Sequence, residues 1–269
     1  VAINRRIPTR VGALAVADCG AGTPVVLWPS LFSDHHLYHH VVGQLSENWR
    51  TISIDGPGFG RSDPPVGDVQ PERYADAVAD VLDELAIGET YFAGCSWGGQ
   101  VGAHFAVRHA RRARGVLLMN TPLEPNRNDW SPLVPATRWF GSTTLFGTGV
   151  ARSMTSKETR HEYPDRIREF VSAMTSFDPA SAATTVRTVM TRSAGVVDLL
   201  TGIDVPLAFL MGADDQLCPV DRLLPVARTA VGAAVVVVPR CGHLAPLEAP
   251  QFVAQMLTEL HNRTGGWRP

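Results

Sequence analysis

The feature that most constrains this chain is a rhythm. From Val11 to about Thr121, short β-rich runs alternate with amphipathic stretches of helical period. Val25-Val26-Leu27-Trp28, Thr51-Ile52-Ser53-Ile54, Thr90-Tyr91-Phe92-Ala93 and Gly115-Val116-Leu117-Leu118-Met119 are such runs, largely apolar, as strands covered on both faces must be. Strands that alternate with helices are joined by crossovers, and crossovers build a parallel sheet. Pro71 to Ile87 reads as one of the helices, with Pro71 suited to the first helical position and Gly88 to the end. Tyr74, Val78, Val81, Leu82 and Leu85 form its apolar face.

The rhythm stops after Thr121 and resumes at Pro206-Leu207-Ala208-Phe209-Leu210-Met211, followed by a helix from Val220, a strand Val235 to Val238 and a last helix from Gln251. An interval of roughly 80 residues is too long for a plain loop. It carries helical patterns over Lys157 to Ser176 and Ala180 to Leu200. The expectation is an α/β core made of residues 1–121 and 204–269, interrupted by a helical lid over 122–203. A separate helical domain is the alternative, disfavoured because both ends return to the same sheet rhythm.

Composition excludes several function classes. With 269 residues and a formal charge of -2, the chain has no basic stripe to draw nucleic acid or an anionic membrane. No apolar stretch approaches the length of a spanning helix. Val1 to Arg10 is basic but lacks a following apolar core, so no signal peptide is read and a cytoplasmic location is expected. The four cysteines have no metal-type spacing, and a chain of this size needs no disulfide staples.

Chemistry enters at Gly94-Cys95-Ser96-Trp97-Gly98-Gly99, directly after an apolar run and before an Ala- and Val-rich helical pattern. Glycines on either side of a serine suit a strained strand-to-helix turn that exposes the hydroxyl. A hydroxyl is a poor nucleophile until a base takes its proton. Among the nine histidines, His243 lies in Arg240-Cys241-Gly242-His243-Leu244, just past the last strand, where a loop at the carboxyl edge of the sheet can reach Ser96. An acid should orient it. Asp214 and Asp215 compete for that role in Gly212-Ala213-Asp214-Asp215-Gln216-Leu217-Cys218-Pro219; spacing favours Asp215, with Asp214 as the alternative. The turn after the strand before the lid reads Asn120-Thr121-Pro122, where a neutral amide argues against an acid.

These landmarks, together with Asp55-Gly56-Pro57-Gly58-Phe59-Gly60-Arg61-Ser62-Asp63, resemble the α/β-hydrolase superfamily over nearly the whole chain and in the same order. The resemblance implies a mostly parallel central sheet flanked by helices, an inserted lid, and a Ser96, Asp215, His243 triad that transfers an acyl group through a covalent intermediate. It also implies an oxyanion hole from the backbone N–H groups of Leu31 and Trp97. Many members carry His-Gly after the first parallel strand, whereas this sequence has Pro29-Ser30-Leu31-Phe32-Ser33-Asp34. That string is similar, over a short stretch, to 3-oxoadipate enol-lactonases.

Other motifs yield less. Asp34-His35-His36-Leu37-Tyr38-His39-His40 has histidines at i and i+4 but no Glu base between them, so it reads as a capped polar helix start with no metal, and His36 as a residue at the pocket mouth. Gly56 to Gly60 lacks the Lys-Ser/Thr ending of a phosphate loop, so no cofactor is expected. Trp130, Trp139 and Phe140 are the lid aromatics expected to meet substrate, and Arg127, Arg138, Arg152, Arg187 and Arg192 are candidates to pair a substrate carboxylate. The reading is a serine hydrolase acting on a small to medium apolar carboxylic ester or lactone. Its alternatives are hydrolysis of a carbon–carbon bond in a vinylogous diketone and a slow-turnover ligand receptor. An Asp at position 96 would have pointed to dehalogenase chemistry instead. The expected partner is the small-molecule ester, lactone or diketone, and the composition is compatible with a homo-oligomer.

Overall fold

The computed structural model describes residues 3–45, 47–67, 70–125, 130–192 and 194–265, with only the backbone at positions 3, 191 and 192. Eight strands form one sheet: β1 (Ile3–Ile7), β2 (Leu14–Cys19), β3 (Thr23–Trp28), β4 (Trp49–Ile54), β5 (Thr90–Cys95), β6 (Ala113–Met119), β7 (Leu207–Gly212) and β8 (Ala234–Val238). Their order across the sheet is β1-β2-β4-β3-β5-β6-β7-β8. From β4 to β8 all neighbours are parallel, as the alternating pattern requires. The antiparallel β1 and β2 extend one edge, and the sequence reading had no strand there.

Helices α1 (His39–Val42), α2 (Pro71–Glu84), α3 (Trp97–Arg108), α9 (Val220–Ala227), α10 (Ala245–Glu248) and α11 (Pro250–Arg263) belong to the crossovers and the carboxyl end. Helix α2 starts on Pro71 and buries Tyr74, Val78, Val81 and Leu82, the stripe expected from its period. Strands β3, β5, β6 and β7 are almost wholly buried, which explains their lack of polar alternation.

Between β6 and β7 stand α4 (Leu133–Phe140), α5 (Thr144–Met154), α6 (Lys157–Glu162), α7 (Pro164–Thr175) and α8 (Pro179–Arg192), then a 3-10 turn at Val197–Gly202. The single pattern read over Lys157 to Ser176 is thus two helices. Pro164 has no N–H to continue α6 and opens α7 at its first turn. The insertion packs on the core through the loop after β4. Gly58, at φ 81°, has so little room that a Cβ would stand 2.8 Å from the Ser181 carbonyl oxygen, and Thr185 Oγ1 donates to Pro57 O at 2.7 Å. Among the described residues, no helix is long and apolar enough to cross a membrane.

Candidate active site

Ser96 occupies the turn between β5 and α3 at φ 55° and ψ −116°, a conformation costly for any residue with a side chain. Its N–H donates to Met119 O at 2.7 Å, which ties the turn to the end of β6. The two flanking glycines are required by close approach. A Cβ on Gly94 would run into the Gly98 carbonyl, and one on Gly98 into the Trp28 carbonyl. The elbow motif therefore follows from packing against the neighbouring strand as well as from backbone strain.

Asp215 and His243 meet at the carboxyl edge of the sheet. Asp215 Oδ2 lies 2.8 Å from His243 Nδ1, and both residues are buried. The loop after β7 wraps the other carboxylate oxygen: the N–H groups of Leu217 and Cys218 both donate to Asp215 Oδ1 at 2.9 Å. Asp214 is exposed, and its backbone N–H donates to Cys241 O. Burial opposes the charge on Asp215. The electrostatic attraction and hydrogen bond of His243, the Cys218 N–H and the Asn120 amide outweigh it and hold the carboxyl below its ordinary pKa.

Two residues that the sequence reading did not assign to the site hold these groups. Asn120, at φ 49°, donates through Nδ2 to Asp215 Oδ2 at 2.8 Å and to Gly242 O at 3.1 Å. Glu248 accepts from Gly242 N at 3.0 Å, Leu244 N at 3.1 Å and Ser156 N at 2.8 Å. Its carboxylate thus clamps the chain on both sides of His243 and joins that loop to the insertion. His243 N–H itself donates to Met154 O, at the end of α5. Asn120 stood in plain view as the amide at an alternative acid position. Glu248 had no comparable signal, because a Glu in a first helical turn is the ordinary complement to the helix dipole.

Ser96, His243, Leu31 and Trp97 line one cavity of about 190 Å³. Among the described residues, no carbonyl takes the Leu31 N–H, and Trp97 opens α3, where the first N–H groups have no intrahelical partner. Trp130, Leu133, Val150, Met154, Val189 and Met190 close the cavity from the insertion. Phe32, at φ 61°, supports the Leu31 turn by packing edge-on against Phe59 and against Phe146 of α5.

Several expected pocket residues lie elsewhere. Trp139 and Phe140 are 73% and 58% exposed and line no part of the cavity, because α4 turns Leu133 and buried Thr137 inward instead. His36 also lies outside the lining; its Nδ1 is 3.0 Å from Asp34 Oδ1. Arg138, Arg152 and Arg187 are not in the lining, Arg127 is outside the described residues, and so is the Arg192 side chain. Among the described residues, the arginine that lines the cavity is Arg222 of α9, 3.8 Å from Glu124.

Comparison with known proteins places this geometry in context. The family model described as the alpha/beta hydrolase fold matches residues 23–250. Haloalkane dehalogenase 2 of Mycobacterium tuberculosis is 27% identical over 176 residues, which cover 64% of this chain and 56% of that protein. This chain therefore spans little more than half of that relative's length. A thermophilic esterase from Thermogutta terrifontis, solved with malate bound, superposes with a TM-score of 0.89 at 26% identity, covering 97% of this chain and 99% of the esterase. The enol-lactonase of Burkholderia xenovorans superposes with a TM-score of 0.87 at 23% identity, covering 95% and 99%, a likeness of fold.

Proposed function

This chain belongs to the α/β-hydrolase fold family, and on that premise we propose that it is a serine hydrolase that cleaves a small to medium apolar carboxylic ester or lactone. The observation that carries the proposal is the buried line from Asn120 through Asp215 to His243, which ends in the cavity that holds the strained Ser96. With Nδ1 engaged by Asp215, His243 presents Nε2 as the base for Ser96. Ser96 Oγ attacks the acyl carbon, and the oxyanion forms beside the Leu31 and Trp97 N–H groups. Each such donor is typically worth about 2.7–4 kcal/mol in the transition state. His243 then gives its proton to the leaving alkoxide and draws one from water, which releases the acid from the acyl-serine.

The cavity supports a small substrate. Its volume is below the ~300–1,000 Å³ of pockets for drug-sized ligands, and its insertion wall is mainly apolar. The chemistry of position 96 separates this chain from halide displacement. Attack of a serine hydroxyl on an alkyl halide would leave an ether that water does not open, whereas attack on an ester leaves a hydrolysable acyl group. The test is hydrolysis of short p-nitrophenyl esters and small lactones by the wild type and Ser96→Ala. Turnover that is lost in the variant supports the reading, and undiminished turnover in the variant overturns it.

A further inference from the structure

The histidine-rich segment after the Leu31 turn reads in sequence as a capped helix start without a metal. The structure gathers its residues differently from the i, i+4 pairs. We infer that Asp34, His35 and His36 form a binding site for a divalent transition-metal ion of the Zn2+ class. One ligand atom from each lies within 4.8 Å of the other two. A tetrahedral site with metal–nitrogen bonds of about 2.0–2.1 Å separates its ligands by roughly 3.3 Å. Asp34 Oδ1 and His36 Nδ1 are already 3.0 Å apart, and a His35 ring nitrogen lies within 4.8 Å of the ligand atoms of both.

What distinguishes the cluster from a chance grouping is the support behind it. His35 Nδ1 is 2.7 Å from Asp55 Oδ1, and Asp55 is fully buried. A carboxylate on one imidazole nitrogen fixes the tautomer and leaves the other nitrogen as a lone-pair donor, the arrangement that commonly backs a metal-bound histidine. Asp55 is itself held by the N–H groups of His35 and Arg61. The His35 and His36 rings lie close together, with centroids 4.0 Å apart and planes tilted by 33°. Gly60, at φ 54°, leaves no space for a side chain: a Cβ there would collide with the Asp55 carboxylate and stand 3.0 Å from Asp34 Cβ, so the loop after β4 packs closely against both acids.

The ligand chemistry and access fit the same class of ion. Two imidazoles and a carboxylate favour Zn2+, Ni2+ or Cu2+ over the all-oxygen sites of Ca2+ and Mg2+. The two carboxylates outnumber the one cationic neighbour, Arg61, and the His36 side chain is 65% exposed, which leaves room for a water as fourth ligand. Asp34, His35 and His36 do not line the Ser96 cavity, so the site stands independently of the serine chemistry. Leu31 is three residues upstream of Asp34, and a bound ion would stiffen the turn that bears it.

Titration calorimetry of the whole protein with Zn2+, paired with Cu2+ electron paramagnetic resonance, tests the inference. One saturable Zn2+ per chain is expected, together with nitrogen hyperfine structure from imidazole in the Cu2+ spectrum. His36→Ala should weaken Zn2+ at least about tenfold, a loss that even an outer partner of a metal site can cause. Asp34→Asn, which keeps the helix cap, should do the same, while His40→Ala and Ser96→Ala should bind as the wild type does. Absence of one-site binding in the wild type, undiminished binding in His36→Ala and Asp34→Asn, or a loss confined to His40→Ala would overturn it.

Discussion

Asn120 Nδ2 and His243 Nδ1 converge on a single atom, Asp215 Oδ2, each at 2.8 Å. A neutral donor and a basic ring thus share one carboxylate oxygen, while two backbone N–H groups saturate the other. In Asn120→Asp the donor becomes a second carboxylate against Asp215. Two such groups cannot both ionise cheaply, so one is expected to titrate well above the usual carboxylate range. The pH–rate profile of the variant should gain an additional ionisation that the wild type lacks. An unchanged profile would contradict the role given to Asn120.

Glu248 leads to a prediction about stability. Glu248→Ala leaves the Gly242, Leu244 and Ser156 N–H groups without their carboxylate acceptor. Buried donors left unpaired cost about 1–3 kcal/mol each, part of which entering water restores. We expect a loss of about 2–3 kcal/mol overall, or a fall in Tm of roughly 5–10 °C in a chain of this size. Because the same carboxylate holds both sides of His243, kcat should fall more than KM rises.

Asp76 determines an acid-sensitive contribution far from the cavity. It accepts from Arg108 Nε and Nη2 at 2.9 and 2.7 Å and lies 2.8 Å from His109 Nε2. The Arg108 hydrogen bond prevails over burial and, with His109, holds the carboxyl at about 2. A depressed folded pKa stabilises fully above the unfolded value, about 3.9, and the gain is lost as pH falls toward 2. Asp76→Asn should cost about 1 kcal/mol near neutrality, since the Arg108 side chain is partly in solvent. The difference in stability from wild type should shrink between pH 4 and pH 2, as measured by urea unfolding.

The aromatics of the insertion can be separated by kinetics. Trp130→Ala removes an apolar wall from the cavity, whereas Trp139→Ala alters an exposed ring. The first should raise KM for apolar esters several-fold, since Trp130 is partly exposed and contributes only part of the roughly 1.5–3 kcal/mol of a fully buried large side chain. The second should leave kcat/KM within experimental scatter. Equal effects would mean that α4 presents a different face to substrate.

The distribution of what could be read in advance has physical causes. The strands and the Ser96 elbow are legible because burial on both faces and the near-contacts of Gly94 and Gly98 admit few residue types. Asp215 could be preferred over Asp214 by spacing within its loop. The antiparallel β1 and β2 were missed because Ile3–Ile7 carries three exposed polar residues and has no crossover rhythm. Trp139 and Phe140 could not be told from Trp130, since bulk reveals apolarity but not which side of α4 faces Ser96. The tie from Glu248 to Ser156 and the backing of His35 by Asp55 depend on loops meeting across the fold, a relationship that has no local pattern.

The central claim, that Ser96 is the nucleophile, is tested most directly by mass-spectrometric mapping of the protein after reaction with a fluorophosphonate. The account predicts one phosphonylated site per chain, at Ser96, with simultaneous loss of esterase activity and no adduct in Ser96→Ala. Modification at another serine with esterase turnover intact, or full inactivation while Ser96 remains unmodified, would contradict it.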